Sequence, residues 1–231
     1  MSVVVAFRYK DGIILGADKR ISKGMRLRED RANKISLTKY SGHGMGSVGL
    51  LRHCNLLSIK DELMDYEDIL EGVEVDQSYV IAKIVPNLTR YFTEQQAIVS
   101  EAGTTVMASE VMYVTKDKIF VIGEDFSVVE YPLWAAIGCG EEMVMGLLCN
   151  VEPEQFAKMK EADAIDLMSG CITYACEKDS AVGESFEFIL VVDPQTEKAK
   201  KVRKKGSTAA EKPSEEAKVE VPKENVADEK M

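Results

Sequence analysis

Two short apolar runs at the start of the chain constrain its fold most. Residues 2–9 and 13–18 are almost continuously apolar and rich in β-branched side chains, and Asp11-Gly12 lies between them. Asp-Gly is a strong hairpin-turn signal. Because neither run alternates apolar with polar residues, we expect both faces of the sheet to be covered. The chain is therefore predicted to open with a buried β-hairpin.

The register of this hairpin brings the start of the chain next to charged residues. With a two-residue turn at 11–12, Ser2 pairs with Ile21 and Val3 pairs with Arg20. Ser2 then lies beside the cluster Asp18-Lys19-Arg20 at the end of the second strand. A one-residue change in the turn would move the pairing but keep this proximity.

The remainder of the folded part alternates between strands and helices. Short β-rich runs between turns predict strands at 34–39, 43–48, 106–115, 118–122, 126–130 and 185–192. Apolar residues at helical spacing predict helices at about 50–65, 77–94, 141–150 and 154–177, the second kinked at Pro86. Two mainly antiparallel sheets between two helical layers would bury every apolar face of this order. We therefore predict an α+β fold, a four-layer αββα sandwich.

The composition changes near residue 194. The chain has 231 residues, of which 45% are hydrophobic, so it can bury a sizeable core. Residues 1–193 are predicted to form one domain, and residues 194–231 a disordered charged tail without aromatic residues. Six basic residues lie within 198–205. That run either stays solvated or binds an acidic partner.

Charge and hydropathy argue against several classes of function. The net charge is -10, and residues 1–193 carry 19 Lys+Arg against 31 Asp+Glu, a net charge of -12. This balance disfavours binding to nucleic acid. No run approaches the ~18 apolar residues of a membrane span, and no export leader precedes the first strand. We expect a soluble cytoplasmic protein with no contact to membranes.

The cysteine pattern indicates free thiols. The five cysteines are odd in number, lack CxxC spacing and lie mostly in apolar helical patterns: Cys54, Cys139, Cys149, Cys171 and Cys176. Neither a disulfide framework nor a zinc site fits this distribution. No metal or cofactor is expected.

Ser2 is a candidate nucleophile because of its surroundings and not because it follows Met1. A small second residue permits removal of the initiator methionine, which would leave a free α-amine on the hydroxyl-bearing residue. An α-amine titrates near about 7.7 to 8.0, so it can serve as general base for its own hydroxyl. A neighbouring lysine would lower the pKa of the amine, because two positive charges repel each other.

Residues 2–20 resemble the opening of proteasome β subunits and of the bacterial HslV peptidase. In those proteins a nucleophilic threonine heads the first strand, an Asp ends the second strand, and an Arg follows two residues later. Ser2, Asp18 and Arg20 match this spacing without a gap. The resemblance implies that Lys34 is the catalytic lysine.

The resemblance extends to about residue 193 and implies further site residues. Gly49, with Ser47 as neighbour, takes the position whose backbone N–H stabilises the oxyanion. Cys139 lies in a turn where the family has Gly-Ser-Gly, and Asp179 lies in the loop next to the nucleophile. The residues that the resemblance places near bound substrate are Ile21, Ser22, Lys23, Ser47 and Leu51.

Three residues depart from the family pattern. Ser2 stands where threonine is usual, Cys139 replaces a serine, and Val182 replaces a serine that hydrogen-bonds the nucleophile region. Serine lacks the methyl group that restricts χ1 in threonine, and valine can neither donate nor accept a hydrogen bond. We therefore expect slower turnover than with threonine.

The resemblance implies an N-terminal-nucleophile peptidase that hydrolyses peptide bonds through an acyl-enzyme on Ser2. Its substrates would be peptides or unfolded proteins, and its partners proteasome-like subunits in a homo- or hetero-oligomeric ring, with an ATPase as a further partner. A non-catalytic structural ring subunit, a peptide ligase or transpeptidase, and a small-molecule amidase remain as alternatives. Lys34 favours catalysis because burying a lysine is costly, whereas Ser2 and Val182 favour the structural subunit.

Overall fold

Strands and helices make up most of the described chain. The computed structural model describes residues 2–23, 26–101, 104–192 and 201–202. The strands are β1 (Val3–Tyr9), β2 (Gly12–Asp18), β3 (Arg20–Lys23), β4 (Arg26–Asp30), β5 (Ile35–Leu37), β6 (Gly44–Gly49), β7 (Val99–Glu101), β8 (Thr104–Val106), β9 (Ser109–Val114), β10 (Ile119–Ile122), β11 (Val128–Tyr131), β12 (Trp134–Gly138), β13 (Phe186–Val191) and β14 (Lys201–Val202). The helices are α1 (Leu51–Ile59), α2 (Tyr66–Glu71), α3 (Gln77–Tyr79), α4 (Val85–Glu94), α5 (Glu141–Leu148), α6 (Pro153–Lys158) and α7 (Glu161–Lys178).

Two five-stranded antiparallel sheets lie between two layers of helices. The strand orders are β12-β1-β2-β13-β14 and β11-β10-β9-β6-β5. One apolar core fills the space between the sheets. A second core lies between the first sheet and α5 to α7, and a third lies between the second sheet and the helices from α1 to α4. The predicted α+β, four-layer αββα architecture is confirmed.

The opening hairpin forms, but its predicted register was wrong. Val4 pairs with Ala17 and Tyr9 pairs with Gly12, so the turn is at residues 10–11 and not at 11–12. A Cβ at position 12 would clash with the Val191 carbonyl of the neighbouring strand. Glycine is therefore needed inside β2 for close approach of two backbones, and it does not serve the turn.

The same shift corrects the predicted pairs at the start of the chain. Ser2 does not pair with Ile21, nor Val3 with Arg20, because β2 ends at Asp18 and β3 pairs with β4. The predicted proximity survives, since the Val3 N–H donates to Oδ1 of Asp18 at 2.9 Å.

Helix boundaries differ from the prediction where the chain bends. The helix expected at 50–65 ends at Ile59, and the helix expected at 154–177 is divided between α6 and α7. The helix expected at 77–94 forms, with a π-helical segment, Val80–Ile84, that ends two residues before Pro86. Proline has no N–H for the i−4 carbonyl, so the helix is locally irregular at this point.

The predicted tail contains one short paired element. Lys201 and Val202 pair with Ile189 and Phe188 at the edge of the first sheet. Residues 193–200 and 203–231 lie outside the described residues, so the domain boundary at 193 remains a prediction. Within the described ranges, none of the helices has the length and apolar character that crossing a membrane requires.

Candidate active site

Asp18 forms the centre of a buried hydrogen-bond cluster at one end of the sandwich. Its side chain is fully buried at the last position of β2. Oδ1 accepts from Val3 N at 2.9 Å and from Lys34 Nζ at 2.8 Å. Oδ2 accepts from Arg20 N at 3.0 Å and from Gly183 N at 2.9 Å. One carboxylate thus joins four parts of the chain: β1, β3, the loop after α7 and the segment that precedes β5.

Lys34 is held as a buried cation against this carboxylate. Its side chain is 3% exposed, and that of Asp18 is 0% exposed. The Lys34 carbonyl accepts from Ser47 N at 3.0 Å, which fixes the backbone next to β6. A buried ammonium group is costly unless it is paired, and the short contact with Asp18 supplies that pairing.

The backbone of Ser2 is fixed by the turn that follows β12. Ser2 is 7% exposed. Its carbonyl accepts from Gly140 N at 3.4 Å and from Cys139 Sγ at 3.4 Å. Gly138 has a φ of +94°, and a Cβ there would clash with the same carbonyl. Glycine at 138 is therefore required both by conformation and by the close approach of Ser2.

Cys139 remains a neutral thiol beside Ser2. Although the residue reaches the surface, partial burial, followed by a hydrogen bond and the negative charge of Asp179, raises the pKa of the thiol to about 11. A thiol with this pKa is a poor competing nucleophile at neutral pH. Its position favours a role in holding the Ser2 carbonyl.

Asp179 and Arg20 organise the loop that follows α7. Asp179 Oδ1 accepts from Ala181 N at 2.9 Å, and its own N–H bonds to the helix. Arg20 Nη1 donates to the Ser180 carbonyl at 2.6 Å. Both side chains thereby hold the loop that presents the Gly183 N–H to the central carboxylate. They act on Asp18 through this loop.

Val182 points away from the polar cluster. It is fully buried and belongs to the apolar core beneath α5 to α7, together with Val3. A Cβ added at Gly140 would lie 3.2 Å from Val182 Cγ2. The loop's contribution to the site therefore comes from the backbone of Gly183, and the side chain at 182 contributes packing.

The predicted oxyanion segment adopts a conformation that requires glycine. Gly49 ends β6, is exposed and has a φ of +110°. A Cβ there would lie 2.5 Å from Ser109 Oγ and 2.7 Å from the Ala108 carbonyl. The Leu50 N–H already donates to Ser109 Oγ at 2.9 Å. Because the Leu50 amide is already bonded, the Gly49 amide is the candidate oxyanion donor of the two.

The predicted substrate contacts have different accessibilities. Leu51 is 39% exposed at the start of α1, and Ile21 is half-buried on β3. Ser22 and Lys23 continue that strand, but their side chains lie outside the described residues. Ser47 is 0% exposed, so its hydroxyl does not reach solvent in this chain. Its backbone N–H bonds the Lys34 carbonyl, and contact of its side chain with substrate stays a prediction.

Two residues of the site region escaped the sequence analysis. His53 on α1 and Ser109 at the start of β9 form a buried contact of 2.7 Å next to Gly49. They are 56 residues apart in the chain, and no motif or spacing links them. Among the described residues, no group of three or more His, Cys, Asp or Glu side chains is arranged to hold a metal ion.

The αββα sandwich, with a buried Lys-Asp pair at the start of its first strand, defines a proteasome-type fold. Residues 2–191 match the family described as "Proteasome subunit". The chain belongs to the proteasome subunit family, and the resemblance read from residues 2–20 is confirmed. Membership of this family implies assembly with other proteasome-type subunits.

Two archaeal proteins are similar along most of their length. "Proteasome subunit beta 1" of Cenarchaeum symbiosum (strain A) is 26% identical over 196 residues, which cover 83% of this chain and 93% of the relative. "Proteasome subunit beta 1" of Nitrosopumilus maritimus (strain SCM1) is 25% identical over 199 residues, covering 85% and 93%.

Proposed function

We propose that this chain is an N-terminal-nucleophile peptidase that cleaves peptide bonds through an acyl-enzyme on Ser2. The observation that carries the proposal is the buried Lys34–Asp18 pair, with Nζ and Oδ1 2.8 Å apart. Asp18 also accepts the N–H of Val3, the residue after Ser2. A buried cation beside the start of the chain is the electrostatic environment that an α-amine base requires.

Removal of Met1 would leave Ser2 with a free amine and a hydroxyl. The hydroxyl attacks the substrate carbonyl, and the amine, directly or through a water, takes the proton. The charge of Lys34 favours the neutral form of the amine and stabilises negative charge that develops nearby. The Gly49 N–H is the proposed oxyanion donor, an interaction typically worth about 3 to 4 kcal/mol. The tetrahedral intermediate then breaks its C–N bond, and the leaving amine takes the proton back from the Ser2 ammonium. Water releases the acyl group from Ser2, and an amine in place of the water would give ligation.

The proposed substrates are peptides or unfolded proteins, and the proposed setting is a ring of proteasome-like subunits served by an ATPase. The names of the two archaeal relatives, both β subunits, support the ring. The cytoplasm is the proposed compartment, and the five free cysteines support a reducing environment.

A structural, non-catalytic ring subunit is the second candidate function. It is favoured by Val182, whose side chain is fully buried in apolar packing and supplies no hydrogen bond to the nucleophile region. Under this alternative the Lys34–Asp18 pair would serve stability alone. The two candidates differ in whether Lys34 affects turnover beyond its effect on folding.

A matched pair of lysine variants separates these candidates. Lys34→Met removes the buried cation, whereas Lys39→Met removes a cation whose side chain is 60% exposed. Hydrolysis of fluorogenic peptides by the assembled protein should require Ser2, disappear in Lys34→Met and persist in Lys39→Met. Equal activity of both variants in folded rings, or hydrolysis that survives Ser2→Ala, contradicts the peptidase.

A further inference from the structure

The turn at Gly49 is held by a hydroxyl that comes from another strand. Ser109 Oγ accepts the Leu50 N–H at 2.9 Å. The same oxygen would lie 2.5 Å from a Cβ at Gly49. Ser109 is 1% exposed, so its hydroxyl reaches the turn from inside the fold. The hydroxyl thus packs against the turn and fixes the direction of the peptide that follows Gly49.

His53 sets the orientation of that hydroxyl. Its Nε2 lies 2.7 Å from the Ala97 carbonyl, and its Nδ1 lies 2.7 Å from Ser109 Oγ. A carbonyl only accepts, so Nε2 carries the proton and Nδ1 is the acceptor. The Ser109 hydroxyl therefore donates to His53 and turns a lone pair toward Leu50. Burial lowers the pKa of His53, which keeps the ring in this neutral form.

The imidazole is itself rigidly placed. His53 is fully buried on α1 and stacks on Phe92 of α4, with ring centroids 4.5 Å apart and planes inclined by 20°. A directed chain of hydrogen bonds therefore runs from Leu50 N–H through Ser109 and His53 to the Ala97 carbonyl. Each group in this series donates to the next one, and each acceptor is used once. The hydrogen atoms of the series therefore have a single consistent arrangement.

We propose that Ser109 and His53 are positioning residues that aim the Gly49 N–H at the tetrahedral intermediate. The inference rests on the proposed peptidase function and adds to it two residues that touch no reacting atom. Leu50 N–H is committed to Ser109, which fixes the peptide after Gly49. Together with the pairing of β6 and β9, this holds the backbone angles of Gly49 and so the orientation of the Val48–Gly49 peptide, whose N–H is the proposed donor. An oxyanion donor must be oriented before the reaction, because reorientation during it would cost the stabilisation that it provides.

Two hydroxyls at opposite ends of β9 provide a matched test. Ser109→Ala removes the hydroxyl at the Gly49 turn. Thr115→Val removes a hydroxyl that is 4% exposed just after the strand, where it accepts the Lys118 N–H at 3.0 Å. Both variants lose one buried turn-holding hydroxyl, so their stabilities should fall similarly. Only Ser109→Ala should lower kcat, by about tenfold or more, with KM changed by less than about twofold.

His53→Phe tests the second residue while it keeps the ring that stacks on Phe92. Its kcat should fall in the same direction as that of Ser109→Ala, and the double variant should lose little more than either single variant. Equal kcat values for Ser109→Ala and Thr115→Val, or fully additive losses in the double variant, would overturn the positioning role.

Amide hydrogen exchange at Leu50 tests this series of hydrogen bonds independently of enzymatic turnover. Loss of the acceptor in Ser109→Ala should speed exchange at this amide by about tenfold, while Thr115→Val leaves it unchanged. If the unmodified chain shows no Ser2-dependent reaction, the peptidase proposal fails, and exchange still decides whether Ser109 holds the turn. Unchanged exchange at Leu50 in Ser109→Ala overturns the inference in either case.

Discussion

Lys34 Nζ lies 2.8 Å from Oδ1 of Asp18 with both side chains buried. Three backbone N–H groups, from Val3, Arg20 and Gly183, also donate to the carboxylate. The pair therefore connects the strand that begins at Val3 with the loop after α7. Disturbing it should affect both stability and the geometry around Ser2.

Asp18→Asn should destabilise the chain strongly. It leaves the Lys34 ammonium buried without its counter-charge, a change that typically costs about 3 to 5 kcal/mol. The control is Asp61→Asn, which removes the partner of Lys39 from an ion pair whose side chains are 60% and 66% exposed and should cost at most about 1 kcal/mol. Denaturant unfolding of both variants measures the difference. Similar midpoints would mean that the Lys34–Asp18 pair is not isolated from water.

Gly138→Ala should disrupt the start of the chain. The added Cβ meets the Ser2 carbonyl, and the φ of +94° disfavours any side chain. A loss of about 1 to 3 kcal/mol is expected. Gly146→Ala, on α5 with no atom within 4 Å of the new Cβ, should instead stabilise the chain by about 0.5 to 1 kcal/mol. Thermal unfolding compares the two variants. A shift of the melting temperature in the same direction for both would contradict the requirement for glycine at position 138.

Cys139 should react slowly with alkylating agents. Because the pKa of its thiol is raised to about 11, little thiolate forms at pH 8, and the rate should keep rising with pH until about pH 11. Mass spectrometry of the peptide that contains Cys139 gives this pH profile, with a free peptide thiol as the reference. A rate that levels off near pH 8.5 would show that neither burial nor the neighbouring carboxylate raises the pKa of the thiol.

His43 should make the fold sensitive to mild acid. Its Nδ1 lies 2.7 Å from Tyr113 Oη, and burial lowers the pKa of the ring from 6.5 to about 4. The unfolded chain takes up the proton first, so the contribution of His43 to stability is present above pH 6.5 and is lost as the pH falls toward 4. His43→Asn should therefore lose less stability than the unmodified chain between pH 7 and pH 5. An unchanged pH dependence of the melting temperature would contradict this.

The sequence predicted the layers of the fold because they follow from local apolar patterns. Continuous apolar runs identified β1 and β2, and helical spacing identified the helices of both outer layers. The hairpin register depended on a contact that no local pattern contains, the approach of Gly12 to the Val191 carbonyl. β12 was missed because Trp134–Gly138 is a short apolar run without alternation, which periodicity cannot assign to a strand or a helix.

The candidate site was predictable to the extent that its residues form a motif. Asp18 and Lys34 were found through the family resemblance and lie in direct contact. Ser47 lies two residues before Gly49 and so on the same face of β6, but its side chain is fully buried, and its contact with substrate stays a prediction. Ser109 and His53 come together only when β9 and α1 pack beside the turn, so sequence spacing carried no signal for them.

The reaction of Ser2 with a peptide epoxyketone tests the central claim most directly. Intact mass and N-terminal sequencing of the assembled protein should show that Met1 is removed and that one inhibitor adds per reactive chain, with the adduct on Ser2. The adduct should be absent from Ser2→Ala and strongly reduced in Lys34→Met, whereas Lys39→Met should react normally. A retained Met1, or labelling that persists in Ser2→Ala, would contradict an N-terminal serine nucleophile.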